Sequence, residues 1–260
     1  MNLKNGQAIE KQISKNDLVL DIGGWWQPFP RADYVVDVQP YETRNQGITP
    51  FLGEERFTKD TWIVADVNSK LPFQDKQFDF VICSHVVEDI RDPIWLLKEI
   101  SRIGKAGYIE FPSRFYESIR GLEQRGYVGL YHHRWLVCIE NGNIVFRHKP
   151  HSIHGKKKYS IARRNMKKLT VENSIDYIFW ENKINGIEQI DLSMDSVNYE
   201  LAQFAKMHTP RLVWFSREIC DWDNIKVMLK QNSFLRSSIE KLIRRKLRDN
   251  VHFFEKYDSK

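Results

Sequence analysis

Short runs of apolar, β-branched residues alternate along the first half of the chain with polar stretches rich in glycine and proline. Each run is about as long as a buried strand. Leu18–Ile22 and Tyr34–Val38 are the first two, Thr61–Ala65 the third, Phe78–Cys83 the fourth and Tyr108–Phe111 the fifth. Runs apolar at both alternating positions suit parallel strands covered on both faces. Between the fourth and fifth the period changes to that of a helix. Asp92-Pro93 supplies an N-cap and a first helical residue, Leu96, Leu97, Ile100 and Ile103 recur at helical spacing, and Gly104 and Gly107 stop it. Within residues 1–17 only Ala8, Ile9 and Ile13 repeat, which predicts a short amphipathic helix acting as a lid or cap.

Beyond the fifth strand, Phe115–Gln124 predicts a second short helix closed by Gly126. Two apolar runs around Asn141-Gly142, within Trp135–Lys149, predict an antiparallel hairpin at the sheet edge or over it. Ile175–Trp180 is one more strand. From Asp195 on, Leu201, Phe204 and Ala205, then Ile239, Leu242, Ile243 and Leu247, favour helices. The fold class is α/β: a Rossmann-like, doubly wound, mostly parallel sheet with an antiparallel edge hairpin and a helical C-terminal appendage. Gln39–Lys59 has no clear period, and a loop that long in a compact domain is usually functional or mobile.

Composition narrows the class further. With 260 residues the chain can bury a sizeable core, and no run approaches the roughly 18 apolar residues of a membrane span. The start of the chain lacks the apolar core of a signal peptide, so a cytoplasmic protein is the default. Cys83, Cys138 and Cys220 show no metal or redox spacing and read as reduced, buried small residues. The excess charge of +6 lies largely in two tracts, Lys156–Lys168 and Lys241–Arg248. These either meet phosphates or an anionic surface or are solvated faces.

The chemistry is concentrated after the first strand. Gly23-Gly24 follows it directly, where absent β-carbons let backbone N–H groups approach a ligand at the carboxyl edge of the sheet. A dinucleotide site needs a helix at that turn to hold a pyrophosphate. Here the turn runs into Gln27-Pro28-Phe29-Pro30, and only 16 positions separate Asp21 from Asp37. A nucleoside without phosphates fits better. Asp37, ending the second strand, is suited to accept hydrogen bonds from two ribose hydroxyls; the alternative is an Asp that caps a turn.

These residues resemble the class I S-adenosylmethionine (SAM)-dependent methyltransferases, and within them a bacterial group with a Leu-Asp-Ile-Gly-Gly, Pro-Phe-Pro-Arg-Ala-Asp pattern. Later stretches strengthen the resemblance: Ala65-Asp66, Leu71-Pro72-Phe73, Phe78–Glu88, Asp92-Pro93, Gly107–Glu110, Pro112-Ser113 and His133-Arg134-Trp135. It runs over roughly residues 17–150 and more weakly to about 190. The resemblance implies SAM as cofactor and an unidentified methyl acceptor as partner. It implies that Asp21 orders the glycine turn and the methionine amino end. Asp66 is implied to meet the adenine amine, with Val67 adding a backbone contact; Asp66 is otherwise a loop-starter. Ser84 and His85 leave the fourth strand where donor and acceptor should meet.

For a hydroxyl acceptor a histidine is the expected base, since imidazole titrates nearest neutral pH. His133 is the first choice and His85 the second, with Arg134 and Trp135 on the acceptor side; the alternative is that His133 and Trp135 only anchor the hairpin. Trp25-Trp26 stands where a third glycine is usual in the family, and Glu88-Asp89 where Glu-His is familiar. His148, His151, His154 and the pair His132-His133 invite a metal, but no cysteine pair or acidic partner stands at a standard spacing, and Lys149 and Lys156–Lys158 would repel a cation. No metal is expected. The domains expected are 1–194 for the methyltransferase, with 17–113 binding the cofactor and 114–194 on the acceptor side, then 195–260 as the appendage. An RNA methyltransferase using the basic tracts, or a degenerate SAM-binding scaffold, are the rival readings.

Overall fold

The computed structural model describes residues 1–44 and 54–209. Helix α1 (Leu3–Glu10) is followed by β1 (Val19–Ile22), β2 (Tyr34–Asp37), β3 (Trp62–Val64) and β4 (Phe78–Ser84). Then come α2 (Pro93–Ile103), β5 (Gly104–Pro112), α3 (Arg114–Glu117), β6 (Trp135–Glu140) and β7 (Asn143–His148). Short helices α4 (Ser152–Gly155) and α5 (Val171–Ser174), strands β8 (Ile175–Glu181) and β9 (Gly186–Glu188), and α6 (Met194–Met207) complete the order. The main sheet runs β3-β2-β1-β4-β5-β8, with the first five parallel and β8 antiparallel to β5. This is the mostly parallel, Rossmann-like α/β sheet that the apolar runs predict.

Alternation along the strands divides the core into two layers. Leu20, Ile22, Val81, Cys83 and Ile109 pack with Leu96, Leu97, Ile100 and Ile103 of α2 on one face. Val19, Val35, Ile82 and Tyr108 pack with Ile9 of α1 and Phe29 on the other. The N-terminal helix is thus a core element rather than a lid. Its Ile9 is fully buried, and Asn5 reaches Glu110 in the middle of the sheet, 3.0 Å away.

Helix α2 begins as its sequence dictates: the Asp92 side chain accepts from Trp95 N at 2.8 Å, with Pro93 in the first turn. It ends at Gly104, but Gly107 plays no part in stopping it. β5 starts at once, and at Gly107 a β-carbon would stand 2.2 Å from the Val81 carbonyl oxygen, so that glycine serves close strand packing. The helix expected over Phe115–Gln124 shrinks to the single turn of α3. Beyond it Ile119 bridges to Ile161 and Arg120 to Val128, and the Arg120 guanidinium ties down the carbonyls of Gly126 and His154. Tertiary pairing there outweighs local helical spacing.

The hairpin forms around Asn141-Gly142, both in the left-handed region as a two-residue turn requires. It joins β9 in a separate three-stranded sheet against α2, and β8 takes the antiparallel edge of the main sheet. At Gly186 of β9 a β-carbon would meet Leu97 and Ile94, which shows how closely the two layers fit.

The tract Lys156–Lys168 is not one solvated face, because Tyr159, Ser160, Ile161 and Asn165 within it are buried. Cys83 is buried, but Cys138 is only half-buried, beside Arg147. Of the helices expected from Asp195, α6 is present and buries Leu201 and Ala205. The second basic tract, Cys220, the apolar repeat from Ile239 to Leu247 and residues 45–53 of the long loop lie outside the described residues. Among the described residues no helix is long and apolar enough to cross a membrane.

Candidate active site

The carboxyl ends of β1, β2, β4 and β5 converge, and each carries an acidic or polar side chain. No helix lies between β1 and β2, as the two prolines predict. Gly23 takes φ +78° and donates from its N–H to the Val36 carbonyl at 2.8 Å. A β-carbon there would lie 2.2 Å from Val86 Cγ2, and one on Gly24 would lie 2.8 Å from Asp21 Oδ2. The glycine pair therefore lets the turn close on the β4 exit and on the Asp21 carboxyl. Trp25 packs beside the turn with its indole N–H donating to the Thr43 carbonyl at 2.8 Å, whereas Trp26 is exposed.

Asp21 is 3% exposed and accepts from Phe29 N at 2.9 Å. Burial raises its pKa from 3.8 to about 7, with the neighbouring Asp37 and Glu110 charges adding to the effect against the Phe29 bond. Asp37 caps the end of β2: one oxygen accepts from Gln39 N at 2.8 Å and the other from Trp25 N at 3.1 Å. Burial raises its pKa too, opposed by those backbone bonds. At least two acceptor directions of the carboxylate are thereby used in the turn, with the Val38 N–H also facing it, which leaves room for a further donor. Asp66 follows β3, the strand beside β2, and is exposed, accepting from the backbone and side-chain N–H groups of Asn68; Val67 is in the core.

The residue that organises the centre is Glu110, to which sequence reasoning assigned no role. It is fully buried in β5 and accepts from Ser84 Oγ at 2.6 Å, Tyr108 Oη at 2.5 Å and Asn5 Nδ2 at 3.0 Å. The Met1 nitrogen lies 3.1 Å from it. The available signal was a carboxylate inside the apolar run Tyr108-Ile109-Glu110-Phe111, since charge is rarely buried without partners. His85, the next residue after β4, takes φ +56°, held by its N–H to the Glu110 carbonyl at 3.0 Å. A left-handed non-glycine residue is uncommon and is often tied to function. The His85 ring sits 3.6 Å from Glu110 Oε1 and 3.4 Å from Glu88 Oε1, and is partly exposed.

His133 lies in a second, adjoining cluster. It is 7% exposed, its Nδ1 is 2.9 Å from Glu117 Oε1, and its Nε2 is 3.8 Å from Asp89 Oδ1. Lys149 donates to the other Glu117 oxygen at 2.7 Å and to the Leu130 carbonyl at 2.6 Å. Burial opposes charging His133, but the Glu117 bond and charge outweigh it and raise its pKa. Burial likewise raises Glu117, and His133 and Lys149 more than reverse this. Trp135 is in the core with its indole N–H on the Ile90 carbonyl at 2.9 Å, and Arg134 is exposed, joined to Glu88 through its backbone. The structure therefore brings Asp21, Gly23, Gly24, Asp37, Ser84 and His85 to the carboxyl edge of the sheet, and Asp66 leaves the same edge just after β3, where Val64 pairs with Asp37. Arg134 and Trp135 join the β4 exit through their backbone N–H groups, which donate to the Glu88 carbonyl.

A family model described as a methyltransferase domain matches residues 35–109, the stretch from β2 through most of β5. No curated protein matches the chain. Among solved structures it is similar to a SAM-dependent methyltransferase from Aquifex aeolicus, with 20% identity over 42% of this chain and 65% of that one, TM-score 0.34. One from Mesorhizobium loti shares 15% identity over 54% and 61%, TM-score 0.33. One from Thermotoga maritima, described as a possible histamine N-methyltransferase, shares 21% over 43% and 52%, TM-score 0.32. The chain thus spans between about half and two thirds of these proteins, and overlap this slight transfers neither substrate nor mechanism. Residues 35–109 are thus similar to a methyltransferase domain.

Proposed function

We propose that the chain transfers a methyl group from SAM to a hydroxyl of a small molecule or glycan, as a cytoplasmic bacterial enzyme. The observation that carries this is the sheet edge itself: a closed glycine turn with no helix to hold a pyrophosphate, flanked by the carboxyls of Asp21 and Asp37. That set suits a nucleoside with a cationic tail. Asp37 has room left to accept from a ribose hydroxyl, and Asp21 lies where the amino end of the cofactor would find a negative partner. When bound, SAM supplies an activated methyl on a sulfonium whose leaving group is a neutral thioether. The protein's task is then to hold the acceptor in line and to receive its proton.

His85 is the better placed of the two candidate bases. It is partly exposed at the β4 exit, while His133 is enclosed and bonded to Glu117. Ser84, Glu110 and Glu88 fix the surroundings of its ring. Residues 1–194 form the methyltransferase unit in this reading, the rest an appendage. The rival RNA reading finds little support in a first basic tract interrupted by buried residues.

Turnover of labelled SAM against a cell extract tests the reading and asks for the acceptor directly. His85→Asn is expected to abolish turnover with SAM still bound, whereas His133→Asn retains part of it; the reverse order moves the base to His133. Asp37→Ala is expected to weaken SAM binding by roughly 1.5–3 kcal/mol, the scale of hydrogen bonds to a charged group. An unchanged titration with an intact fold makes Asp37 a turn-capping residue only.

A further inference from the structure

Asp89, His132 and His133 each present one ligand-type atom to a common point, and these three atoms lie within 4.8 Å of one another. Local spacing offers the histidines no acidic partner; the fold brings one from the β4–α2 connection. The His133 side is prepared for such a role. Nδ1 faces Glu117 at 2.9 Å, which turns Nε2 to the side of Asp89 Oδ1, 3.8 Å away, so that an ion bound there would take the Nε2 lone pair and displace any proton on it. A carboxylate behind a histidine is the arrangement that fixes tautomer and ring orientation in metal sites.

The second observation is independent of that geometry. Asp89 Oδ1 is a buried atom with no hydrogen-bond partner among the described residues; Glu88, 1% exposed, makes no hydrogen bond there through its carboxyl either, its Oε1 facing His85 Nδ1 at 3.4 Å. Unbonded buried carboxylates are costly, and Lys149 is already engaged with Glu117. The neighbourhood of His133 therefore holds three carboxyl groups, Glu88, Asp89 and Glu117, against Lys149 on Glu117 and the His85 ring on Glu88. A divalent cation would balance that charge.

We propose that Asp89, His132 and His133 bind a divalent transition-metal ion, with Glu117 orienting His133. Two imidazoles and one carboxylate suit zinc and its neighbours rather than magnesium or calcium, which favour oxygen-only shells. Ligands about 2.1 Å from zinc in a tetrahedron stand roughly 3.4 Å apart. His132 is exposed, so its ring has room to close the remaining gap. Three protein ligands leave a fourth position for water. This site goes beyond the methyl-transfer reading and does not depend on it.

The full chain, stripped with a chelator, should be titrated calorimetrically with zinc chloride, and with cobalt(II) to read the visible absorption of the bound ion. One ion per chain is expected. Asp89→Asn and His132→Asn should each weaken binding at least tenfold and bleach the cobalt spectrum, while His148→Asn and His151→Asn leave both unchanged. His132 is exposed, so its replacement does not threaten the fold, and circular dichroism checks each variant. Absence of binding by the unaltered chain, or binding indifferent to Asp89→Asn and His132→Asn, overturns the proposal. So does loss on His151→Asn.

Discussion

Lys149→Met is expected to destabilise the protein by about 3–5 kcal/mol, the scale for removing one partner of a buried ion pair. Lys149 and Glu117 are 6% and 1% exposed, so among the described residues the Glu117 charge left behind has only His133 to balance it. The measurement is the urea midpoint of the variant against the parent. The double change Glu117→Gln with Lys149→Met should recover most of the loss, because it removes both charges and keeps the volumes. A cost below about 1 kcal/mol for the single variant means the pair is not held dry.

The second large effect is a pH dependence centred on Asp21. Its folded pKa, about 7, lies above the usual 3.8, so the folded chain holds this proton more tightly than the unfolded one. The resulting stabilisation is fully present below about pH 4 and is lost as pH rises through about 7, by up to about 1.4 kcal/mol per pH unit. Asp21→Asn keeps the shape and an acceptor for Phe29 N–H but cannot ionise. Denaturation at pH 5 and pH 8 should show the parent losing more stability than the variant. A cationic ligand beside Asp21 favours the ionised form, so SAM affinity should rise over the same range, with a proton released that buffers of different ionisation enthalpy reveal. Parallel profiles for parent and variant would show that Asp21 does not titrate there.

The sheet was legible because its strands are buried on both faces and so read as uninterrupted apolar runs, and because Asp92-Pro93 and Asn141-Gly142 carry their own start and turn chemistry. Local patterns do not report partners far along the chain. The Phe115–Gln124 spacing could not reveal that Ile161 would pair with Ile119, nor that Gly107 faces Val81 and Trp180. The glycine turn and the acidic end of β2 were visible in Gly23-Gly24 and Asp37 because those residues are contiguous with their strands. The Glu110 centre and the Glu117–His133–Lys149 cluster were not, since their members come from separate elements. Trp135 illustrates the limit of a motif: the triplet places it beside His133, but its ring is spent on the core and on the Ile90 carbonyl.

The central claim is that the β1–β2 edge is built for a nucleoside cofactor without phosphates. Calorimetric titration of the unaltered chain with SAM, with its demethylated product and with NAD tests it most directly. The account predicts binding of SAM and of the product at micromolar concentration and none of NAD. Tight binding of NAD with no response to SAM would contradict it.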